Sequence, residues 1–488
     1  MINKRLDTIS VFIRPDNVTK LDEIIKNLVN IKNIRPVMIK LRKGVSASSP
    51  IGGIAKSVWS TLLPFVSHAL KIRDVILEVN GVESLNICMK ILERFESSCL
   101  AAIGRQISNV VDFPESQIQH RTVVRSGVDR ELDQLKHDHD GLESMLSVVC
   151  REIAKRVPVI FQPVLNVVYF PQIGFLISVQ REPGTEGVPF LDINDEPWER
   201  IFATDQMEYY KSSEMREMDE RFGDLWTSIC EKEIEIIHSL AQDILEHEPL
   251  LTTVSDICGE LDSLLALAQG ARQYKLTRPQ ITTDNIIQIK AGRHILQELT
   301  VPSYVANDTN IAGGNSKRKF ENGIEDMEES LGNRPHPIFS YASRAHDSSP
   351  QFDASSAPSM LILTGPNYSG KSVYLKQIAL IVYMAHIGSF VPAEWANIGL
   401  TDKLLTRVST RESVSRIQSA FMIDLQQVSL ALSLCTRRSL LVIDEFGKGT
   451  EGNDGAGLLC GVLEYLNGLG KESPKVVAAT HFHGKSCR

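Results

Sequence analysis

The sequence has no long apolar run and no apolar N-terminal leader. No uninterrupted apolar stretch reaches the roughly 18 residues that a membrane-spanning helix needs, and the most apolar helical segment, 378–391, is short and carries His386. The first ten residues, MINKRLDTIS, lack the apolar core of a signal peptide. We therefore expect no membrane span and no cleaved leader.

Paired cysteines are also missing. The eight cysteines are scattered, with no Cys-x-x-Cys spacing: Cys88, Cys99, Cys150, Cys230, Cys258, Cys435, Cys460 and Cys487. This pattern argues against a structural zinc site and against a disulfide framework. It predicts free thiols in a reducing compartment.

Positive charge is in deficit overall but concentrated at one end of the chain. The formal net charge is −8, yet residues 1–73 hold thirteen Lys or Arg against four Asp or Glu, a local charge of +9. Such a basic element can neutralise phosphates and bind DNA even in an acidic chain. A solvated helical face explains the same charges, and charge alone leaves both interpretations open.

Length and periodicity divide the chain into several units. A chain of 488 residues with 43% hydrophobic residues is too long for one core. Helical periodicity over 5–43 and 54–92 predicts packed helices, and apolar spacing over 124–154 predicts one long helix. Residues 157–181 are β-branched, aromatic and interrupted by turn signals, which predicts strands, and a polar segment follows. A helix over 212–267 then has the length of a rigid arm.

The sequence pattern of the second half of the chain predicts strands and an α/β section in place of long helices. Residues 278–311 alternate apolar and polar, which predicts strands entering a new domain. Residues 312–358, rich in Gly, Asn, Ser, Pro and charge, predict a disordered insertion, whose Lys317-Arg318-Lys319 cluster is a candidate nuclear-import signal. An α/β section follows: strand 360–364, helix 371–386, strand 403–408, helix 419–435, strand 439–444, helix 454–468 and strand 475–480.

A glycine-rich turn follows the first strand of the α/β section. Its spacing is Gly-x-x-x-x-Gly-Lys-Ser, from Gly365 to Ser372. Such a loop directs successive backbone N–H groups at one phosphate, with Lys371 as a point charge on the outer phosphates and the Ser372 hydroxyl on Mg²⁺. The next helix would direct the positive end of its dipole at the same phosphates. The candidate binding residues are Gly365, Pro366, Asn367, Tyr368, Ser369, Gly370, Lys371 and Ser372.

Polar residues end two later strands. The run SLLVIDE places Asp444 and Glu445 at the carboxyl end of a buried strand, the edge at which open α/β sheets bind ligands. Asp444 is the candidate Mg²⁺ ligand, and Glu445 is the candidate base that orients the attacking water. His481 follows the last strand at the same edge. It is a candidate γ-phosphate sensor, although a single histidine is more often structural.

These motifs together resemble those of the MutS-type DNA-binding ATPases. The runs GPNYSGKSVYLKQIALIVYMAHIGSFVPA, SAFMIDLQQV, LLVIDEFGKGT and ATHF follow the order and spacing of that family's four ATPase motifs. RPQI, AGRH and YVANDT resemble the segment before its ATPase domain, and VRSGVDRELDQL resembles the entry to its clamp. Phe446 and Lys448 differ from the usual mismatch-repair residues, and the motifs are most similar to the meiotic branch of the family.

The resemblance implies a fold and a set of site residues. The implied fold is multidomain α and α/β: an α-helical core and lever over 1–125, a small β-rich clamp over 126–211, returning lever helices over 212–277 and a P-loop ABC-type ATPase domain over 278–488. ATP and Mg²⁺ would bind at the loop, with Asn367 among the phosphate contacts. Glu445 and His481 would be the catalytic residues of a DNA-dependent ATP hydrolase.

Ser419 matches the family's signature serine. The resemblance implies that this serine reaches the nucleotide of a partner subunit. At the start of a predicted helix, Ser419 is also a good N-cap, and one serine can fill both roles. ATP hydrolysis would then require the partner.

The resemblance also implies a biological role. It implies a nuclear, chromosomal protein that binds double-stranded and branched DNA such as Holliday junctions, works as a heterodimer with a MutS homologue of the fourth type, and promotes meiotic crossovers. We expect a fragment of a longer protein, without the mismatch-reading and connector domains or the C-terminal dimerisation element. A mismatch-repair homologue and a structural DNA-binding scaffold with an inactive ATPase are the alternatives.

Overall fold

Helices dominate the fold, and four small sheets accompany them in the part of the chain that the structure describes. The computed structural model describes residues 1–46, 54–157, 162–180, 198–314, 357–366, 368–407, 420–447 and 452–482. The helices are α1 (Ile2–Phe12), α2 (Val18–Val29), α3 (Arg35–Ser46), α4 (Lys56–Ile76), α5 (Asn86–Arg94), α6 (Ser97–Val110), α7 (Phe113–Ile118), α8 (Arg130–Asp140), α9 (Leu142–Ala154), α10 (Ser213–Phe222), α11 (Leu225–Glu246), α12 (Glu248–Gln273), α13 (Ile295–Glu298), α14 (Lys371–Ile387), α15 (Ala420–Leu434) and α16 (Gly452–Gly468). None of the described helices is long and apolar enough to cross a membrane.

The strands are short and fall into separate groups along the chain. They are β1 (Val111–Asp112), β2 (Val123–Val124), β3 (Leu165–Phe170), β4 (Gly174–Gln180), β5 (Glu199–Ala203), β6 (Met207–Lys211), β7 (Gln280–Thr282), β8 (Ile286–Gly292), β9 (Asn307–Ala312), β10 (Met360–Thr364), β11 (Trp395–Gly399), β12 (Leu404–Arg407), β13 (Leu440–Asp444) and β14 (Lys475–Thr480). The predicted α/β section is confirmed, with each helix or strand end within two residues of its predicted position. Strand β11 was not predicted.

The chain forms two compact units. The first comprises residues 1–25, 76–89 and 259–488, and the second comprises residues 26–75 and 90–258. The four domains expected from the sequence remain a prediction, because this division is a coarser one.

Helix α14 is the central element of the first unit. It packs against two four-stranded sheets, a parallel sheet in the order β10-β14-β13-β12 and a mixed sheet in the order β7-β11-β8-β9. Buried side chains between Leu375 and Ala385 of α14 share one core with residues of both sheets. The helix sequence VYLKQIALIVYMAHI is apolar on several sides because the helix must bury more than one face.

Strands β13 and β14 form the buried centre of the parallel sheet. Every residue of both strands is buried, which fits their nearly continuous apolar sequences, LLVID and KVVAAT. Leu440 and Val442 face the core that contains α14, whereas Leu441 and Ile443 face a second core formed with α15 and α16. Helices therefore cover both faces of the sheet.

The second unit contains an antiparallel sheet in the order β3-β4-β6-β5. Its core joins this sheet to residues of α9, α10 and the start of α11. The strands predicted within 157–181 are confirmed as β3 and β4. Strands β5 and β6 lie in the segment that the sequence marked only as polar, so periodicity did not predict them individually. Phe202 and Tyr209 stack across these two strands, with ring centroids 4.4 Å apart, and such cross-strand contacts stabilise strands of weak sequence pattern.

Two predicted long helices are interrupted. The region 124–154 begins with β2 and is divided at Gly141 into α8 and α9. The predicted arm over 212–267 is divided at Gly223, where φ is +62°, and at His247. The prediction of one continuous helix is therefore wrong in both places. Apolar periodicity continues past each break because the helices on either side also bury an apolar face.

The two ends of the predicted insertion belong to the fold. Ala312 ends β9, and the Gly313 and Gly314 N–H groups each donate a 2.8 Å hydrogen bond to a backbone carbonyl, of Asn285 and Ser473 respectively. The insertion prediction is wrong for residues 312–314 and 357–358. Its remainder, with the Lys317-Arg318-Lys319 cluster, lies outside the described residues.

Most of the described cysteines are free thiols, as predicted. The free residues are Cys88, Cys99, Cys150, Cys230, Cys258 and Cys435. Cys460 is disulfide-bonded, so the prediction is wrong at that position. No Cys-x-x-Cys spacing marks this residue in the sequence.

A lysine is fully buried at the start of β14. The Lys475 ammonium group donates hydrogen bonds to the side-chain oxygen of Asn285 and, at 3.1 Å, to the carbonyl of Arg438. Burial lowers the pKa of Lys475 to about 8, although Asp402 acts in the opposite direction. The fold therefore accommodates a charged group at a cost in stability.

The pKa of Lys475 predicts a pH-dependent stability. Between pH 8 and 10.5 the unfolded chain, whose lysine has its ordinary pKa of 10.5, binds more protons than the folded chain. The free energy of unfolding of the wild type should therefore rise through this window, by about 3 kcal/mol relative to Lys475→Met. Urea unfolding at a series of pH values measures the difference. The control is Lys471→Met at an exposed lysine, whose free energy of unfolding should depend on pH as the wild type's does. If the pH dependence of Lys475→Met were also the same as that of the wild type, the prediction would be contradicted.

Candidate nucleotide-binding site

Three strand ends of the parallel sheet meet at one edge. Thr364 at the end of β10 pairs with Thr480 at the end of β14, and Asp444 at the end of β13 pairs with the residue before Thr480. Parallel strands present their carboxyl ends at the same edge. The structure therefore brings the glycine-rich loop, His481 and Glu445 together on neighbouring connections, in that order.

The glycine-rich loop turns directly into α14. Gly370 is the N-cap residue of this helix and has φ +89°, a left-handed conformation that favours glycine. Since glycine has no side chain, it cannot cap the first helical turn, whose N–H groups are left for an anion. Tyr368 and Ser369 are exposed beside this turn. This local geometry is one that a phosphate could occupy.

Lys371 folds back over the loop. Its ammonium group donates hydrogen bonds to the carbonyls of Gly365 and Pro366, at 2.7 and 2.8 Å. These contacts hold a positive charge close to the start of α14, where the helix dipole has the same sign. Ser372 follows within the first turn and is half-buried. Charge and dipole therefore attract an anion to the same place.

Helix α14 is anchored one turn after its start. The Tyr374 hydroxyl donates to the Asp308 carbonyl at 2.9 Å and lies 2.8 Å from the Thr309 hydroxyl. Burial raises the pKa of Tyr374, so the hydroxyl keeps its proton. This contact fixes the helix start to the mixed sheet.

Asp444 presents a buried carboxylate at the end of β13. The residue is 3% exposed, and its Oδ1 atom has no hydrogen-bond partner among the described residues. A buried carboxylate oxygen without a partner is costly, and a hard cation such as Mg²⁺ would satisfy it. Within the described ranges no group of three or more His, Cys, Asp or Glu side chains could hold a metal alone. Proteins commonly bind Mg²⁺ with one or two carboxylates together with phosphates and water.

The chain turns sharply after Asp444. Glu445 has φ +51°, and its N–H donates to the Ala479 carbonyl at 2.9 Å. Gly447 has φ +87°, and a Cβ atom there would lie 2.8 Å from the Gly455 backbone, so only glycine fits. Left-handed non-glycine residues cost about 1–3 kcal/mol and concentrate at functional sites. The turn thus fixes the Glu445 backbone beside Asp444.

His481 lies between the other two connections. It is half-buried, and its ring packs on Phe482 with centroids 4.4 Å apart. Its Nδ1 atom is buried and has no hydrogen-bond partner within the described part of the chain. A histidine held in this way can bond a ligand at the sheet edge.

A buried ion pair next to Asp444 was not predicted from the sequence. Arg407, at the end of β12, donates hydrogen bonds to the Asp424 carboxylate of α15 and to the main-chain carbonyl of Asp444. The signal in the sequence was weak: a charged residue ends the apolar strand LLTR, and an acid interrupts the apolar helix run AFMIDL. Buried charges of this kind require partners, but the sequence does not say which ones.

Two predicted site residues lie outside the described residues. Asn367 in the loop and Ser419 before α15 are not described, and neither is Lys448. Their roles stay predictions.

The basic N-terminal region is partly neutralised by acids. Among the described residues, four of its thirteen cations form ion pairs: Lys20 with Glu78, Arg35 with Asp256, Arg42 with Glu248 and Arg73 with Asp74. The local charge of +9 therefore overstates the positive charge available to DNA.

Most of the chain matches known proteins. Residues 1–268 match MutS domain III, and residues 361–486 match MutS domain V. The chain is 34% identical over 440 residues to MutS protein homolog 5 of Saccharomyces cerevisiae, which covers 87% of this chain and 45% of that protein. It is 28% identical over 429 residues to MutS protein homolog 5 of Caenorhabditis elegans, covering 87% of this chain and 27% of that protein.

A bacterial relative aligns over an even larger share of the chain. The DNA mismatch repair protein MutS of Bacteroides thetaiotaomicron is 28% identical over 486 residues, covering 99% of this chain and 48% of that protein. The chain thus spans less than half the length of these three curated relatives. Because the domain III match alone covers more than half of its residues, this chain belongs to the MutS family.

Proposed function

We propose that this chain is an ATP-gated DNA clamp subunit of the meiotic branch of the MutS family. The observation that carries the proposal is the meeting of the glycine-rich loop, Asp444 and His481 at one edge of a parallel sheet. The similarity to relatives called MutS protein homolog 5 supports the meiotic assignment. In this proposal the protein acts in the nucleus on branched recombination intermediates and promotes crossovers.

Each residue of the site would have a separate role in binding or hydrolysing the nucleotide. The loop N–H groups and the first turn of α14 would bind the phosphates, and Lys371 would exchange its two loop carbonyls for phosphate oxygens. Ser372 and Asp444 would hold Mg²⁺, which when bound neutralises phosphate charge. Glu445 would orient the attacking water and accept its proton. His481 would bond the terminal phosphate.

A second subunit completes the proposed function. Ser419, which precedes α15, would contact the nucleotide bound by a partner MutS homologue. ATP binding would then join two nucleotide sites, and the helical regions would convert this into opening or closing around DNA. DNA contacts would be mainly to phosphate and shape.

Lys371→Ala should weaken nucleotide binding without unfolding the protein. The side chain bonds only loop carbonyls among the described residues, whereas a phosphate contact to a charged group is worth about 1.5–3 kcal/mol. We expect the dissociation constant of a fluorescent ATP analogue to rise at least about tenfold. Lys376→Ala, at an exposed lysine of the same helix, is the matched control. Equal affinities of the two variants would contradict the phosphate-binding role.

Glu445→Gln should stop hydrolysis while leaving binding intact. The substitution keeps the size of the side chain but removes the proposed base, whose contribution is about 100-fold or more. Steady-state ATP turnover, measured on the full-length protein with its dimer partner and DNA, should fall by that factor. Glu464→Gln, an exposed acid on α16, should match the wild type. Turnover that does not depend on Glu445 would instead favour a structural scaffold with an inactive ATPase.

A mismatch-repair role is the second candidate function. The alignment of a bacterial DNA mismatch repair protein over 99% of the chain favours it. Competition between a four-way junction and a duplex of equal length with one mismatch separates the two roles. We expect the junction to compete at least about tenfold better for the full-length heterodimer, because shape and phosphate contacts would dominate binding. A preference for the mismatch would support the second candidate.

A further inference from the structure

We propose that Arg407 is a positioning residue that sets the direction of the Asp444 carboxylate and links it to helix α15. The inference rests on the proposed nucleotide-binding function. It concerns regulation of the same site through Arg407, which lies outside the quoted motifs, and Asp424, which lies within the run SAFMIDLQQV but had no role assigned.

One guanidinium group bridges two elements of the site. Arg407 ends β12, where its Cα pairs with Ile443 of β13. Its Nη1 atom donates to the main-chain carbonyl of Asp444, and its Nη2 atom donates to Oδ2 of Asp424. Asp424 lies about one turn into α15. The end of β13 and the first part of α15 are therefore held at a fixed distance by one planar group.

The ion pair between Arg407 and Asp424 is buried, and the planar guanidinium holds its hydrogen-bond partners in fixed positions. Arg407 is 6% exposed and Asp424 is 7% exposed. A buried ion pair gives little net stability compared with apolar residues, but it fixes specific positions when its hydrogen bonds are made. Lysine carries the same charge yet cannot replace two N–H donors fixed in one plane. Arg407 therefore fixes the relative positions of the Asp444 carbonyl and the Asp424 carboxylate, which a positive charge alone would not do.

The Asp444 side chain depends on this clamp for its orientation. Its Oδ1 atom has no hydrogen-bond partner among the described residues. On one side the backbone is held by Arg407 at the Asp444 carbonyl, and on the other by the bond from the Glu445 N–H to the Ala479 carbonyl. Backbone restraint, applied from β12 and β14, thus directs the carboxylate toward the site.

The same guanidinium connects the backbone of Asp444, at its carbonyl, to the proposed partner-facing helix α15. Farther along α15, Val428 is buried in the core shared with β13 and β14, which anchors that part of the helix. A displacement of the first turn of α15 would move Asp424, and through Arg407 the end of β13. Contact of this turn with a partner's nucleotide would therefore change the position of Asp444, the proposed Mg²⁺ ligand.

The test separates Mg²⁺-dependent from Mg²⁺-independent nucleotide binding. The dissociation constant of a fluorescent ATP analogue is measured for the full-length protein with Mg²⁺ and with a chelator. Arg407→Lys and Asp424→Asn should each reduce the Mg²⁺-dependent gain in affinity about tenfold, while the affinity in chelator stays at the wild-type value. Asp444→Asn should remove the gain, and adding Arg407→Lys to it should change nothing further, because Arg407 acts through Asp444.

A matched arginine controls for general loss of an ion pair. Arg293 is partly buried and pairs with Glu298 at 2.8 Å in the same unit, so Arg293→Lys should keep the full Mg²⁺-dependent gain. An equal loss of affinity with and without Mg²⁺ in both test variants would overturn the proposal and assign the pair a structural role. A further loss in the double variant would also overturn it. A wild-type protein that binds no nucleotide would instead refute the proposed function itself.

Discussion

The packing of α14 against two sheets is the constraint on which the candidate site depends. The helix shares one buried core with both sheets of the first unit, and Tyr374 bonds its first turns to β9. A helix held in this way cannot shift without opening the core, since protein interiors are close-packed. The glycine-rich loop is consequently fixed at both ends, by β10 and by α14, and the direction of its N–H groups follows from packing far from the loop.

Charge is buried at both ends of the parallel sheet, with opposite consequences. At the amino end of β14, Lys475 bonds only neutral oxygens among the described residues, and burial lowers its pKa. At the carboxyl end, Arg407 has a carboxylate partner in Asp424. The first arrangement costs stability that the surrounding core must supply, whereas the second fixes position. Only the second lies at the edge where the candidate catalytic residues meet.

Local signals were sufficient for some elements and insufficient for others. Strand β10 and the start of α14 were predictable because an apolar run, a glycine with positive φ and a basic residue follow one another in the sequence. The break at His247 and the β5–β6 pair were not predictable from periodicity, because apolar spacing continues past the break and the β5–β6 segment is polar. The pair of Arg407 and Asp424 belongs to the same class, since the sequence shows two charges but not which atoms they contact.

The three connections at the sheet edge are held by different contacts. Two of them are held within the core or the turn itself, whereas the end of β13 is also linked to α15. The loop is fixed at its ends by β10 and α14, which share one core, and the turn at Glu445 by a positive φ and by the close approach of Gly447 to Gly455. The end of β13 is paired with β12 and β14, and its last carbonyl also accepts a hydrogen bond from a side chain whose other partner lies on α15. A signal that enters at α15 therefore reaches Asp444 before it reaches the loop. In the proposed function, nucleotide binding and metal positioning would then respond separately to a partner subunit, because different contacts hold the loop and Asp444.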